Sequence, residues 1–547
     1  MKKAVSLLLT CMILVFLLNG CTGGQNKNTD SSGSSNNASQ NAKGTGEVVK
    51  LTALFNKHSL TQDVNNMEWL KQLEEDCGVE IEWQQISADW DQKKPTLFAS
   101  GDIPDLLFNA TTNADYIQYN GLFEDLKPLI GDDTPNIQTM FKDKPELESI
   151  VTQENGQIYG LPQYKSLWPA ATSTTFINKK WLDKVNMGVP TNWDELKAVL
   201  IAFRDNDVNE NGDLHDEIPM DFNPMNWLFS PKQMLGGLGL QLTDEAADGY
   251  FAEDGKVKNY FVDERFKTLM IFLQDLYQEG LINPETVTQD YSKYQSVARG
   301  NGSAAKVGFT FGWESGDRFG NELAGQYISI APLKQHADSE VTVVYSNDLY
   351  SQNYGINKVS ISAQCKNKEA AMRFIDGFYD EKVSMQVLFG GMNDVDKAIQ
   401  DNGDGTYSVL PPADDSLDPG SWKWTNTFAD NGPFYIRDGI SLKLGSDMQK
   451  VLQEKSIYND YTNKVDEKTN RYPQSFIKYS EEDTNTLAMN QANISNITEQ
   501  QWAIWMTKKS DIEAEWQAYV DAVYKAGLTQ NLEIRQNAFE EYLKTIK

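Results

Sequence analysis

Beyond residue 47 the chain alternates short apolar runs of period two with longer stretches of period 3.6, which limits it to the α/β folds. The run 49–55 reads as a strand. In 66–77, Met67, Leu70, Leu73 and Cys77 recur at helical intervals, and Gly78 ends the helix because it tolerates a left-handed backbone. Residues 79–86 alternate as a second strand, 93–99 form a helix closed by Ser100-Gly101, and 105–108 form a third strand. Strand, helix, strand at this spacing points to a parallel sheet with right-handed crossovers. A second series begins with a strand at 174–177 and a helix at 193–204, N-capped by Thr191 or Asn192. Residues 267–278 form a helix with Leu269, Phe272, Leu273 and Leu276 on one side. Strands at 307–311 and 327–330 follow, then a helix at 368–379. The tail 499–547 reads as helical, with Trp502, Trp505 and Trp516 as packing residues.

The first 47 residues cannot join such a core. Lys2 and Lys3 precede an apolar run, 4–18, that ends Leu18-Asn19-Gly20-Cys21, the pattern of a secretory signal. At about 15 residues the run is too short to span a ~30 Å hydrocarbon layer. Residues 22–46 are almost wholly Gly, Ser, Asn, Thr, Gln and Ala, which bury no apolar surface and stay a coil. We therefore expect a signal peptide at 1–20, a tether at 21–47 and a large domain working outside the cell. Gly20-Cys21 resembles the bacterial lipoprotein box. That implies lipidation of Cys21 (diacylglycerol, palmitate-type chains) and attachment to the extracytoplasmic face of a Gram-positive cell membrane.

The chain carries 49 basic and 78 acidic residues, net −29, and loses Lys2 and Lys3 with the leader. Such a surface repels nucleic acid and anionic lipid, so no nucleic-acid partner is expected. Outside the leader and Cys21 the cysteines are Cys77 and Cys365, without Cys-x-x-Cys spacing; a disulfide and two separate buried thiols both stay open. His58, His215 and His336 are isolated, which argues against His-based catalysis or metal binding. No Gly-x-Ser-x-Gly, His-Glu-x-x-His or P-loop pattern occurs. Glu314 and Asp317 form a conceivable glycosidase pair, but among 78 acidic residues a pair carries no information. No enzyme is expected.

A set of ordered motifs says more. Ala99-Ser100-Gly101-Asp102-Ile103-Pro104-Asp105-Leu106 is followed by Gly121-Leu122-Phe123-Glu124-Asp125-Leu126, Tyr159-Gly160-Leu161-Pro162 and Phe176-Ile177-Asn178-Lys179. Then come Gly312-Trp313, Ile330-Ala331-Pro332-Leu333 and Asn367-Lys368-Glu369-Ala370-Ala371. This order, over 48–379, resembles the family 1 extracellular solute-binding proteins of carbohydrate ABC importers, especially the long lipoproteins of bacilli and the alginate-binding periplasmic proteins. The resemblance implies a type II periplasmic-binding-protein clamshell of two α/β lobes. Lobe 1 would hold 48–165 and 345–400, and lobe 2 would hold 170–335 and 405–547. Hinge strands would cross near 163–171, 345–354 and 401–424. A carbohydrate, by this analogy an oligosaccharide, would sit between the lobes and pass to ABC permease subunits from a monomer. A sensor-kinase partner, a surface carbohydrate-active enzyme and a peptide- or lipid-binding pair of lobes are the alternatives.

Residues 207–217, Asp-Val-Asn-Glu-Asn-Gly-Asp-Leu-His-Asp-Glu, begin like an EF-hand loop, with oxygen side chains at alternate positions and then a glycine. Position 12 is Ile218 rather than Glu, which argues against a helix–loop–helix sensor. The alginate-binding relatives share this start and an Asp-Glu-Ile-Pro finish, one residue nearer. The expected ligands of a structural Ca²⁺ are Asp207, Asn209, Asn211, Asp213 through its carbonyl, Asp216 and Glu217. The alternative is a metal-free acidic turn.

A saccharide offers flat C–H faces and a rim of hydroxyls, so its site needs aromatic shelves and polar side chains. Trp313 leads, leaving a strand at Gly312 ahead of Glu314, Asp317 and Arg318; in the resembling family a Trp here stacks on sugar. Tyr164 and Trp168 lie in the first crossing, and Trp227 follows Asn223-Pro224-Met225-Asn226. Trp422 and Trp424 occupy a loop bounded by Pro, Gly and Ser. Tyr350 and Tyr354 lie near the second crossing, Asp102 and Asn109 flank the third strand, and Asn178 follows a strand. Trp69, Trp181, Trp193, Trp502 and Trp505 fit helical faces and are expected in the core.

Overall fold

The computed structural model describes residues 48–225, 228–244, 246–300, 302–393, 397–414, 419–464 and 467–545. The leader, the tether, Cys21 and Trp227 lie outside the described residues.

A six-stranded sheet forms one lobe, in the order Phe434–Ile436, Gly160–Lys165, Tyr354–Ile361, Leu106–Phe108, Val49–Asn56, Val79–Ile86. The last three pair in parallel, as the strand–helix–strand spacing requires, and Tyr354–Ile361 runs antiparallel to both neighbours. Period two decides which side each residue covers. Leu51, Ala53 and Phe55 pack into a large cluster with helices Glu68–Cys77 and Lys368–Phe378, while Leu54 and Leu107 face a smaller one around Trp90 and Phe98. Helix Glu68–Cys77 stops at Gly78 (φ 66°), whose N–H reaches the carbonyls of Glu74 and Glu75.

The second lobe is built on a four-stranded sheet, Tyr327–Ser329, Thr174–Asn178, Val307–Gly312, Ile218–Met220. Asn192 caps helix Trp193–Arg204 by accepting from the Glu195 N–H. Helices Glu481–Thr507, Ile512–Val523 and Thr529–Thr545 close its core, with Trp502, Trp505 and Trp516 buried. Trp69, Trp181 and Trp193 are buried too. Cys77 and Cys365 are separate buried thiols.

The lobes are joined where three passes of the chain meet. Ala171, Tyr345 and Tyr458 form a small cluster of their own, with the two tyrosine rings stacked at 4.0 Å. The Tyr345 hydroxyl donates to the Ser173 carbonyl, and the Tyr458 hydroxyl accepts the Thr175 N–H. The third pass thus runs through helix Ser446–Lys455 and the turn Ser456–Tyr458, not through 401–424. Correspondingly, 405–547 does not keep to the second lobe. Tyr407, Phe428, Met448 and Val451 pack in the first core, and Phe434–Ile436 pairs with Gly160–Lys165. The motif order ends at 379, so these later strands carried no cue to their lobe.

Candidate ligand-binding site

Between the lobes lies a cavity of about 700 Å³. Its walls are residues that follow strands: His58 and Leu60 after Val49–Asn56, Trp168 after Gly160–Lys165, Trp313 and Glu314 directly after Val307–Gly312. Carboxyl ends of strands are where an open α/β sheet leaves a crevice, because the flanking helices cover the faces and not the edge. Thr172 and Gln352 line it from the joint, and Lys423, Trp424, Asp430 and Asp447 from the returning chain.

Three indoles face this space, each with a lysine beside its ring. Lys455 Nζ lies 4.4 Å from the Trp313 ring centre, Lys165 lies 5.0 Å from Trp168, and Lys423 lies 5.1 Å from Trp424. His58 stacks on Trp424 at 5.6 Å. Burial lowers the His58 pKa against a partial upward pull from Asp430. Trp313 also packs against the cores of both lobes, at the seam a closing movement would work on. Its carbonyl accepts from the Thr174 hydroxyl, fixing the turn that presents the ring. Glu314 next to it caps helix Ser315–Phe319, accepting from the Gly316 and Asp317 N–H groups, and pairs with Lys450 at 3.1 Å.

Residues 57–385 match the sequence pattern of the bacterial extracellular solute-binding protein family. The chain belongs to that family. An HMO-binding, ABC-transporter-associated solute-binding protein of Bifidobacterium longum infantis ATCC 15697 superposes with TM-score 0.82 and 32% identity, covering 91% of this chain and 99% of its own. The fructooligosaccharide ABC transporter substrate-binding protein FusA of Streptococcus pneumoniae serotype 4 (strain ATCC BAA-334 / TIGR4) is 26% identical over 494 residues, 88% of each chain. An EF-hand mutant of FusA, in complex with fructo-nystose, shares the fold at TM-score 0.80 and 24% identity, covering 91% of this chain and 100% of its own. Lipoprotein LipO of Bacillus subtilis (strain 168) is 25% identical over 304 residues, 54% of this chain and 53% of its own. The two-lobed fold is therefore that of the extracellular solute-binding proteins.

The cleft of this solute-binding protein brings together only part of the expected set. Trp168, Trp313, Glu314 and Trp424 line it, and so does Asp317. Trp422 is half-buried beside them on helix Pro419–Thr425 but is not in the wall. Arg318 is fully buried and points away. Its guanidinium holds Asp221 at 3.0 Å, donates to the Tyr294 carbonyl and stacks on the Tyr294 ring at 3.4 Å. Tyr164 lies on the far face of its strand, donating to Asp438 and packing on Tyr354 and Tyr435. Tyr350 stacks on Phe476, and Tyr354 completes that cluster. Asp102 is exposed at the start of Leu106–Phe108, the end opposite the cleft. Asn109 leaves the correct end but lies one layer behind, accepting from Lys358, which also donates to the Asp430 carbonyl. Asn178 caps helix Lys179–Lys184.

The sequence reading passed over His58, Tyr291, Arg299, Gln352 and the pairs Lys165–Asp430 and Lys423–Asp447. For His58 there was a cue: it follows the first parallel strand at its carboxyl end. The ion pairs link residues 265 and 24 positions apart and left none.

The loop 207–217 lies away from the cleft. The Asp207 carboxylate accepts from the Asn211 and Gly212 N–H groups, and Asp216 accepts from the Asn209 and Asn211 amides. Glu217 folds back to accept from the Val208 N–H through one oxygen, and its other oxygen is buried without a partner. Gly212 has φ 86°, as a sharp loop requires. Among the described residues no three His, Cys, Asp or Glu side chains converge as a metal cluster, so any cation here would rely on amide and carbonyl oxygens as well. The orphaned Glu217 oxygen and the hard-oxygen donor set fit Ca²⁺.

Proposed function

We propose that this solute-binding protein captures an oligosaccharide between its lobes and delivers it, chemically unaltered, to the membrane subunits of an ABC importer. The observation that carries the reading is the cleft. Three indoles and a polar wall line about 700 Å³, enough for several sugar units. Indole faces cover the apolar C–H faces of pyranose or furanose rings, while carboxylates, Thr172, Gln352 and Asn321 meet hydroxyls. Likeness to a fructooligosaccharide transporter's substrate-binding protein and to an HMO-binding protein supports the same class. The joint of three backbone passes lets the lobes close over the guest as rigid bodies, giving the permease a ligand-dependent surface. Calorimetric titration with a panel of oligosaccharides tests this: one-to-one binding with the sugar recovered intact is expected, and a panel without a binder would sink it.

We further infer that Cys21 carries the lipid and tethers the protein to the outer face of the cell membrane, and that it acts as a monomer. The Gly20-Cys21 pattern and the likeness to a lipoprotein support the anchor. For the loop we propose a structural Ca²⁺ held by Asp207, Asn209, Asn211, the Asp213 carbonyl, Asp216 and Glu217. When bound it supplies positive charge that gathers these oxygens and fixes the turn, remote from the sugar.

A further inference from the structure

We propose that the cleft selects uncharged oligosaccharides and rejects uronates, a refinement that rests on the carbohydrate reading above. Among the described residues, four carboxylates face the cavity (Glu314, Asp317, Asp430 and Asp447) against two permanent cations, Arg299 and Lys423. Both cations are committed. Arg299 lies 3.4 Å from the Asp317 carboxylate and donates through Nε to the Asp317 carbonyl at 3.0 Å. Lys423, itself buried, lies 3.2 Å from Asp447. Behind the wall the pattern repeats, with Lys165 on Asp430 and Lys450 on Glu314.

Two further lysines lie near the space. Lys358 donates to Asn109 Oδ1 at 3.2 Å and to the Asp430 carbonyl at 2.7 Å. Lys455, buried under the Trp313 ring, donates to the Thr172 carbonyl at 2.6 Å and the Thr174 hydroxyl at 2.9 Å. Its ammonium is therefore turned toward the joint. Burial disfavours the charged form of His58, which stacks on Trp424. A sugar carboxylate is best held by a guanidinium fork or an ammonium with donors to spare. Here Arg299 and Lys423 already answer protein carboxylates, while Lys455 answers a carbonyl and a hydroxyl of the joint. A uronate would meet four carboxylates whose cations are already engaged and would have to break an existing pair to be held, whereas a hydroxyl can donate to the same carboxylates without disturbing any pair. The charge pattern thus separates two sugar classes that the indole shelves alone would treat alike.

The test is calorimetric titration of the full-length protein, at fixed physiological salt, with kestose, maltotriose, cellotriose and galactotriose, and with the trisaccharides of galacturonate and mannuronate. At least one neutral trisaccharide should bind, and both uronates should bind roughly a hundredfold more weakly or not at all. A uronate that equals or exceeds the best neutral sugar would overturn the selectivity while leaving the carbohydrate reading standing. Failure of every sugar would remove both. In Asp447→Asn, which releases Lys423, the ratio of uronate to neutral affinity should rise about tenfold; an unchanged ratio would show that the Lys423–Asp447 pair does not set the preference.

Discussion

Trp313 holds its position through a hydrogen bond from the Thr174 hydroxyl to its carbonyl, a lysine against its ring and contact with both cores. Its outer face is what a sugar would meet. Trp313→Ala should weaken saccharide binding by ~1–3 kcal/mol, read by calorimetry, with little change in melting; unchanged affinity would remove it from the site. Arg318, five positions on, behaves oppositely. Arg318→Ala would strand the Asp221 carboxylate in the core and should cost ~3–5 kcal/mol of stability in urea unfolding. A loss below ~1 kcal/mol would show that the pair is dispensable. Lys455 makes a pH prediction. Burial lowers its pKa from 10.5 to about 7 in the folded protein. Below pH 7 the lysine is protonated both folded and unfolded, so the full cost of burying the charge is present. Between pH 7 and 10.5 the unfolded chain binds more protons, and stability rises with pH. Lys455→Met should flatten part of that rise, measured as urea unfolding at pH 7 and pH 9.5; an identical slope in both proteins would contradict the assignment.

At the scale of elements, regular segments follow their local pattern. Helix Trp193–Arg204 begins where Asn192 can cap it, and helix Glu68–Cys77 ends where Gly78 permits the turn. Strand Gly160–Lys165 shows where such reading runs out. All six residues are buried, so alternation does not tell which of Tyr164 and Lys165 faces the cleft. The loop 207–217 was legible as a chemical motif, and its fold adds the back-turned Glu217. If Ca²⁺ binds there, a chelator should lower the melting temperature of the protein, and Glu217→Gln should remove most of that difference. Identical melting curves with and without chelator would argue against the ion.

For the whole molecule the decisive feature is the joint, where Ala171, Tyr345 and Tyr458 come from three distant parts of the chain. Because the third pass lies at 446–458, the helix that carries Asp447, Met448 and Val451 into the cleft also links the lobes, so cleft wall and joint share one element. If Cys21 carries the proposed lipid, residues 22–46, almost wholly Gly, Ser, Asn, Thr, Gln and Ala by composition, separate the anchor from this body. Cys21→Ala should move the protein from the membrane fraction into the medium, followed by immunoblot. Retention at the membrane would mean that something other than the lipid holds it.

By itself the sequence determined the alternation of strands and helices, the capped boundaries, the packing tryptophans of the tail and the α/β class, because these depend on backbone periodicity and neighbours within a few turns. The expectation of two lobes came from the resemblance carried by the ordered motifs. The tertiary structure alone decided which aromatic rings reach the cleft, that Arg318 turns inward to Asp221, and that a late strand returns to the first sheet. Those outcomes rest on contacts between residues tens to hundreds of positions apart. Where both faces of a strand are buried, only the packed neighbours distinguish one face from the other.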